Sequence, residues 1–402
     1  MSNNKGSRAA NGVGYIHKRD NGVWEGTCTI GYDERTGKRK RKSVYGKTQK
    51  EVRQKLSVLS TQLDTKEYFE PSKMTLSDWL DIWTRDYMLD KKYSTIKHYK
   101  AAVNNHIKPC LGRYKLSDLS IQVVQRFYNS LAYPSDGSAP LAAKTIHNIH
   151  GVLSKALNQA VSNDFIRANP CNRAVLPKAI KPDIKPLTQE QVKEMLLISE
   201  EDPVYGILLK VIILTGMRVS EATGLTWDCI NFDTNTIIVC KQLQKRPKGD
   251  GGFAFESPKN SKTRTLKPAP YVMELLKKRQ AQQSEQKLYA GPLWDDWTDP
   301  YYPKERLVFT TLTGSYLSPQ TVYNHFKVIA NKIGAPDARV HDLRHTFAVI
   351  SLENGDDPKT LQGNLGHATA AFTLDVYGHF SDKMKDASAE RMQGFVTSLF
   401  AV

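Results

Sequence analysis

Strand-like alternation of hydrophobic and polar positions marks the start of the chain, over residues 15–45. It is interrupted at residues 20–22 (Asp-Asn-Gly) and 33–37, and such breaks are typical of turns between antiparallel strands. The pattern predicts three strands, and one face of the second strand carries Trp24, Cys28 and Ile30. A helix is predicted next, because Thr48 and Glu51 have capping-box spacing ahead of a hydrophobic stripe.

The period of the hydrophobic positions then changes to that of helices, and four helices are predicted over residues 74–177. Ser94 and Ser120 are candidate N-caps for helices over residues 95–107 and 121–131, and a fourth helix is predicted over residues 142–161. The first helix carries a stripe at helical spacing: Leu76, Trp79, Leu80, Trp83 and Tyr87. We interpret this aromatic stripe as bundle core rather than as a surface that stacks on bases.

A proline-containing segment without periodicity, Lys178–Pro186, predicts a linker. Beyond it, Thr188 begins a capping pattern, the apolar run Tyr205–Met217 predicts a buried helix, and residues 318–332 predict an amphipathic one. Three short strands are predicted between these helices: Thr236–Gln242, Phe253–Ser257 and Arg264–Lys267. The chain is therefore predicted to be multidomain, with a small β-ribbon-plus-helix domain at residues 1–70, an all-α helical bundle at residues 74–177 and a mainly α (α+β) domain at residues 183–402.

The net charge of +16 on 402 residues favours a polyanionic partner, and its distribution is uneven. Residues 1–70 hold 15 Lys and Arg against 8 Asp and Glu, and residues 71–182 hold 16 against 7. Residues 183–402 hold 26 of each and are neutral. The first 182 residues are therefore predicted to clamp the polyanion, and the remainder to act on it with a few placed cations.

Cysteine usage and the apolar runs restrict the compartment. None of the five cysteines forms a C-x-x-C pair, which predicts reduced thiols in a cytoplasm and no zinc knuckle. The polar N-terminus has no signal-peptide pattern, and the most apolar run is too short for a bilayer and contains Lys210. We therefore expect a cytoplasmic protein with no membrane partner.

Chemically active side chains concentrate between His341 and Tyr377. His341 and Arg344 are three residues apart, so both point the same way on a helix. An imidazole can move a proton, a guanidinium matches a phosphate, and a tyrosine hydroxyl can attack phosphorus once cations carry the charge. Upstream, Arg218 follows a predicted helix end where backbone N–H groups favour anions. Lys259 lies in a predicted β-turn, from which it could protonate a leaving oxygen.

Each of these residues has a structural explanation when considered alone. Histidines cap helices or fill cores, a lone tyrosine is usually a core aromatic, and Arg218 could form a surface ion pair with Glu221 rather than being oriented by it for chemistry. Lys259 could be a solvated turn residue, and Lys262 competes for its role. The full candidate set comprises cations, imidazoles, an acid and a nucleophile: Arg218, Lys259, His341, Arg344, His367 and Tyr377. With no metal-ligand set or carboxylate pair beside it, this set predicts phosphoryl transfer through a covalent phosphotyrosine, without cofactor or metal ion.

Basic positions in the first 182 residues are candidates for DNA binding. Five consecutive cations, residues 38–42, lie on the third predicted strand, where they would be solvated on both faces, which no core requires. A β-ribbon in a DNA groove explains them, and a nuclear-localisation-like or merely soluble basic run is the alternative. Exposed spacing on the predicted helices marks a second group. The candidate DNA-binding residues are Arg39, Lys40, Arg41, Lys97, Lys100 and Lys144.

The sequence closely resembles the tyrosine recombinase family, in particular the phage lambda-type integrases and those of conjugative transposons. The order and spacing agree over the whole third domain, and the matching pieces are Thr215–Glu221 (TGMRVSE), the Lys259 hairpin, His341–Ala348, Leu365–His367 and Tyr377. Residues 14–63 are similar to the arm-type DNA-binding domain of such integrases, and residues 74–177 to their core-binding helical domain. The third domain accordingly resembles a tyrosine-recombinase catalytic domain.

The resemblance implies that Tyr377 cleaves DNA to a 3′-phosphotyrosine with a free 5′-hydroxyl, and that a homo-tetramer exchanges strands through a Holliday junction. It implies phosphate binding by Arg218 and Arg344, general acid work by Lys259, proton handling or phosphate bonding by His341 and His367, and support from Glu221. The implied partner is double-stranded DNA with core-type and arm-type sites in a bacterial cytoplasm. An excisionase and DNA-bending proteins are candidate accessory partners.

Two features depart from the family pattern, and one segment has two interpretations. The loop 245–252 lengthens the hairpin region, and Asn260 stands where relatives usually have threonine, which weakens the assignment of Lys259. The segment 381–402 places on one helical face Met392, Phe395 and Leu399. In this family such a tail packs on a neighbouring protomer, and docking on its own domain is the alternative.

Two other functions share part of this pattern. A type IB topoisomerase has the same chemistry, but it needs no second DNA address such as the predicted arm-type domain. A DNA-binding regulator with an inactive site would bind without cleaving, and the presence of all six candidate groups argues against it. The leading hypothesis is a site-specific integrase/excisionase-type recombinase of a mobile element.

Overall fold

A computed structural model describes residues 15–32, 36–65, 73–180, 184–246, 252–258, 263–299, 301–366 and 382–400. The chain forms two compact units, residues 1–180 and residues 181–402, and each is described by itself. Within the first unit, the strand-rich part and the helical part have separate hydrophobic cores. The finer division into three domains at residues 1–70, 74–177 and 183–402 stays a prediction.

The first unit begins with a three-stranded antiparallel sheet in the order β1-β2-β3, formed by β1 (Tyr15–Lys18), β2 (Trp24–Tyr32) and β3 (Arg39–Gly46). Helix α1 (Gln49–Asp64) packs on the sheet through a small core formed by Cys28, Val52, Leu56 and Leu59. Half of the predicted capping box is confirmed: the Thr48 hydroxyl accepts the Glu51 N–H at 3.2 Å, but the return bond to the Thr48 N–H does not form. The Glu51 carboxylate accepts the N–H of Lys47 at 2.9 Å.

The rest of the first unit is helical, as predicted, and its elements are α2 (Leu76–Asp86), α3 (Tyr93–Ala102), α4 (Lys108–Leu111), α5 (Ile121–Ala132) and α6 (Ala143–Ser162). The aromatic stripe is core as far as Trp83: Trp79 is fully buried, and its indole N–H donates to the Ala156 carbonyl at 2.9 Å. Tyr87, at the end of the stripe, is exposed instead. Ser120 caps α5 through the N–H of Val123 at 3.3 Å, as predicted.

Helix α3 differs from its prediction at both ends. The predicted cap at Ser94 is wrong: α3 begins at Tyr93, and no side chain caps it, because a backbone turn from Met88 to Lys91 sets the entry instead. At the other end, a π-helical turn over Val103–Ile107 joins α3 to α4. Pro109 explains this wider turn, because its ring lacks an N–H and would clash with a carbonyl of a regular α-helix.

The second unit is mainly helical with short strands, as predicted. Its helices are α7 (Gln189–Ile198), α8 (Gly206–Thr215), α9 (Val219–Thr223), α10 (Pro270–Ala290), α11 (Pro319–Lys332), α12 (Val340–Glu353), α13 (Pro358–Leu365) and α14 (Asp382–Phe400). Its strands are β4 (Ile230–Asn231), β5 (Thr236–Val239), β6 (Gln242–Lys245), β7 (Phe253–Glu256) and β8 (Arg264–Leu266). The apolar helix α8 is buried on all sides and packs against α10 and α12.

The pairing of these strands corrects one prediction. Strands β7 and β8 do not form the predicted hairpin, because β7 pairs with β6 and β8 pairs with β5. Lys259 lies between them, outside the described residues. The two strands therefore belong to different sheets, β6-β7 and β4-β5-β8. Alternation alone identifies strands but not their partners, so the sequence could not distinguish these pairings. Within the described residues, no helix is long and apolar enough to cross a membrane.

Candidate functional site

Arg218 lies at the sharp connection between α8 and α9. Helix α8 ends at Gly216, whose φ of +66° is a left-handed conformation. A Cβ atom at Gly216 would lie 2.4 Å from the ring of Phe347 on α12. Glycine is therefore required at position 216 for two reasons, its left-handed conformation and its lack of a side chain. The close approach fixes α12 against the turn that leads into Arg218.

A buried carboxylate holds Arg218. Glu221 is fully buried, and it accepts hydrogen bonds from Arg218 through Nη1 at 2.7 Å and through the backbone N–H at 2.9 Å. Arg264 on β8 forms a two-pronged ion pair with the same carboxylate, with Nη2 at 2.6 Å and Nη1 at 3.1 Å. Burial would raise the pKa of Glu221, but the hydrogen bonds and charges of the two arginines prevail and lower it to about 2. Glu221 is thus ionised at neutral pH.

Arg344 on α12 joins three of the predicted motif segments. Its side chain is buried, Nη1 donates to the Gly216 carbonyl at 2.7 Å, and Nη2 donates to the Leu365 carbonyl at 2.5 Å. Gly216 precedes Arg218 by two positions, and Leu365 precedes His367 by two positions. One guanidinium therefore brings together the segments that carry Arg218, His341 and His367.

His341 lies on the first turn of α12 and is exposed to solvent. Its ring packs at right angles to that of His345, with the ring centroids 4.9 Å apart. The pKa of His341 lies below its usual range, because neighbouring protein desolvates the imidazole and because His345, Arg344 and Arg218 add positive charge. Asp342 opposes this effect only partly. At neutral pH the imidazole is therefore uncharged and able to accept a proton.

The structure brings Arg218, His341 and Arg344 together, and the other three predicted catalytic residues lie outside the described residues. These are Lys259, His367 and Tyr377. The backbone that leads to His367 is described as far as Gly366, which ends α13 in a left-handed conformation with φ +64°. Across the described ranges, no group of three His, Cys, Asp or Glu side chains could hold a metal ion.

Arg264 is a further residue of the site that was not predicted from the sequence. Its position was a weak signal: Arg264 and Leu266 are two residues apart on β8, so they share a face, and Leu266 is buried. A charged residue on the inward face of a strand indicates a buried ionic partner. The sequence could not identify that partner, because Glu221 lies 43 positions away.

The predicted DNA-binding residues are exposed, as such a role requires. Arg39, Lys40 and Arg41 lie on the edge strand β3, and Lys97, Lys100 and Lys144 lie on α3 and α6. Their contact with DNA stays a prediction. On α14, the side chains predicted to share one face are also exposed, namely Met392, Phe395 and Leu399. Whether this face packs in its own protomer or on a neighbour is likewise untested.

Comparison with known proteins supplies a second, independent line of information. Residues 185–384 match the model of the phage integrase family, and residues 75–132 match that of the phage integrase N-terminal SAM-like domain. A tyrosine recombinase XerC-like protein of Caldanaerobacter subterraneus is 28% identical, covering 91% of this chain and 94% of its own. The ICEBs1 integrase of Bacillus subtilis is 22% identical, covering 94% and 98%. The transposase of transposon Tn916 from Enterococcus faecalis is 28% identical over 62% of each chain.

Solved structures show the same fold at lower sequence identity. The Tn1549 transposon integrase, in complex with a circular intermediate DNA, superposes with a TM-score of 0.66 at 22% identity and covers 80% of this chain and 100% of its own. A lambda integrase tetramer bound to a Holliday junction superposes with a TM-score of 0.52 at 18% identity, covering 88% and 96%.

Proposed function

This chain belongs to the phage integrase family, the tyrosine-type site-specific DNA recombinases, and we propose that it integrates and excises a mobile element through a covalent 3′-phosphotyrosine. The substrate in this proposal is double-stranded DNA in a bacterial cytoplasm. The relatives that match over most of their length are integrases and a recombinase, which supports the assignment. The order of the candidate residues along the chain supports it as well.

The chemistry follows from the residue types. The Tyr377 oxygen attacks the scissile phosphorus, and the bond between phosphorus and the 5′-oxygen breaks. Lys259 donates a proton to the departing 5′-oxygen. The phenol proton passes to one of the two imidazoles, His341 or His367. One phosphodiester replaces another, so attack by the 5′-hydroxyl of a partner strand reseals the DNA without ATP.

The observation that carries this proposal is the double carbonyl contact of Arg344. Because Gly216 and Leu365 hold its guanidinium, the position of that cation relative to Arg218 is set before DNA arrives. Glu221 fixes Arg218 in the same way. Donors that need no rearrangement stabilise developing phosphoryl charge most effectively, at ~3 kcal/mol for each donor.

A covalent-capture experiment tests the chemistry. The protein is incubated with nicked duplexes whose sequences come from the DNA that flanks the gene. A pool of nicked duplexes of random sequence is tested in parallel, and the products are resolved under denaturing conditions. The nick releases a short 5′-hydroxyl strand, so cleavage cannot be reversed and the adduct accumulates. Tyr377→Phe should form no adduct, and Tyr323→Phe, at a half-exposed tyrosine of α11, should form as much as the wild type.

The outcomes of that experiment separate the three functions considered. Adduct on one sequence from each flank, lost in Tyr377→Phe, supports the recombinase. Adduct of equal yield on unrelated random duplexes indicates a relaxing topoisomerase. Tight binding to duplexes without adduct indicates a regulator. An adduct that persists in Tyr377→Phe would refute the assignment of the nucleophile.

We further propose two separate DNA contacts in the first unit. The cations of β3 would contact arm-type DNA, and those of α3 and α6 would contact core-type DNA. An alternative exists for β3: cations on an edge strand also prevent strands of two molecules from pairing. Salt dependence distinguishes the two. Replacing Arg39, Lys40 and Arg41 by glutamine should reduce the slope of log affinity against log salt for arm DNA by about 2 to 3.

The matched control for that variant is the second basic group. Glutamine at Lys97, Lys100 and Lys144 should reduce the slope for core DNA and leave arm binding unchanged. Equal slopes in the wild type and in the β3 variant would refute a role for β3 in DNA binding.

Strand exchange in this proposal needs four copies on paired sites, with an excisionase and DNA-bending proteins as accessory factors. The lambda integrase tetramer on a Holliday junction is the precedent for the assembly. Mass photometry on synthetic Holliday junctions should give a species with four protomers. A monomer-only distribution at saturating junction would refute the assembly.

A further inference from the structure

Arg264 has an unusual environment for a residue outside the predicted catalytic set. It is the first residue of β8, and its side chain is only 9% exposed. Nη1 and Nη2 donate to the two carboxylate oxygens of Glu221, and Nε donates to the Asn364 carbonyl at 2.8 Å. These two partners lie 43 and 100 positions away along the chain. One guanidinium therefore connects three distant segments.

Both partners of Arg264 are adjacent to candidate catalytic groups. Glu221 also binds Arg218, so Arg264 and Arg218 share one carboxylate. Asn364 is followed by Leu365, whose carbonyl accepts from Arg344. Contact continues at Gly366, where an added Cβ atom would lie 3.2 Å from Nη1 of Arg264. A shift of Arg264 would therefore displace both the Glu221 carboxylate and the backbone at Asn364.

We propose that Arg264 is a positioning residue for DNA cleavage: it holds the guanidinium of Arg218 through Glu221, and through Asn364 it fixes the backbone that leads into His367. The inference rests on the proposed recombinase function. Arg264 itself does not touch the DNA. A planar guanidinium suits this task because its three donor directions reach the carboxylate and the carbonyl together, which the single ammonium group of a lysine cannot do.

The competing explanation is that Arg264 only stabilises the second unit by neutralising a buried carboxylate. Arg264→Lys separates the two explanations, because it keeps the charge and removes the fork. We expect the single-turnover rate of covalent capture on the nicked duplex to fall about 10- to 100-fold, since a displacement of about 1 Å at a catalytic group has that effect. The Kd for the same duplex should change by less than about threefold.

Arg279→Lys is the matched control. Arg279 is a second buried guanidinium of the same unit, on α10, and it donates to the Val308 carbonyl and the Thr310 hydroxyl. This variant should also lower the Tm. At a temperature well below the unfolding transitions of both variants, its cleavage rate at saturating DNA should equal the wild-type rate. Equal rate losses in the two variants, or no rate loss in Arg264→Lys, would overturn the proposal.

A double-mutant cycle tests the route through Glu221. If Arg264 acts on Arg218 through that carboxylate, Arg264→Lys should add little to the rate loss of Glu221→Gln. Fully multiplicative losses would overturn this route. Failure of the recombinase assignment looks different: the wild type itself would then form no adduct that depends on Tyr377.

Discussion

Replacing Glu221 by glutamine should destabilise the unit of residues 181–402 by about 3 kcal/mol at pH 7. The substitution keeps the shape of the side chain and removes its charge. Two guanidinium groups, of Arg218 and Arg264, then lose a buried anionic partner. A glutamine amide has one acceptor oxygen, whereas the Glu221 carboxylate has two charged ones. The amide therefore cannot accept all the hydrogen bonds that Arg218 and Arg264 donate.

The magnitude follows from the protonation equilibrium of the carboxyl group. The pKa of Glu221 is about 2 in the folded chain, against an ordinary value of 4.5. A difference of about 2.5 pKa units corresponds to about 3 kcal/mol, at 1.36 kcal/mol for each unit. Removal of one partner from a buried ion pair typically costs ~3–5 kcal/mol, which agrees.

The same equilibrium fixes the pH dependence. The folded pKa of Glu221 is depressed, so its contribution is complete above the unfolded value of 4.5 and is lost as the pH falls toward 2. At pH 3.5 the advantage of the wild type over Glu221→Gln should shrink to about 2 kcal/mol. Between pH 5 and pH 7 it should be constant.

Scanning calorimetry of the full chain measures both effects. For a unit of this size, about 3 kcal/mol corresponds to a Tm lower by about 6 to 12 °C. Leu153→Ala, in the core of the first unit, identifies which transition belongs to which unit. Asp296→Asn removes half-exposed ion pairs with Lys287 and Arg306 in the second unit and should cost less than about 1 kcal/mol. A Glu221→Gln transition within 1 °C of the wild type, or a difference that does not shrink in acid, would refute the reasoning.

Three further predictions concern the site and its surroundings. The imidazole of His341 should titrate below 6.5 in an NMR pH series, and a midpoint at or above that value would contradict the local charge distribution. Arg344→Lys should lower single-turnover cleavage by at least about 100-fold, because one ammonium cannot serve two carbonyls and a phosphate together. Diamide should form a disulfide between Cys229 and Cys240, whose sulfurs are 3.4 Å apart, visible as a cross-linked peptide that Cys240→Ser abolishes.

Local signals in the sequence predicted most of the elements. Thr48, Ser120 and Thr188 each cap the helix that follows, because a short polar side chain before an apolar stripe determines where a helix begins. The prediction at Ser94 is wrong because a backbone turn can set a helix start without any side-chain cap. The wide π-helical turn that joins α3 to α4 was not predicted either, although Pro109 is a visible cause in the sequence.

Long-range pairing limited the prediction of the site. The segments around Arg218 and Arg344 were identified from residue types, and the structure places them in contact through Gly216. The partners of β7 and β8, and the bond from Arg264 to Glu221, depend on contacts between distant residues that no local period encodes. The alternation on β8 was a weak signal that Arg264 is buried, but identification of Glu221 as its partner required knowledge of the tertiary fold.

In the proposed reaction, the charges near Glu221 match the transition state better than the ground state. The guanidinium groups of Arg218 and Arg264 share the buried carboxylate of Glu221, and Arg344 binds the carbonyl of Gly216, two positions before Arg218. This group of four residues has a charge of +2, and Glu221 remains ionised in it. A phosphodiester brings one negative charge, whereas the phosphoryl group in transfer carries more on its equatorial oxygens. The excess positive charge is therefore balanced best when additional negative charge has developed on the phosphate. Such an arrangement stabilises the transition state more than bound DNA, so it raises the rate rather than the affinity.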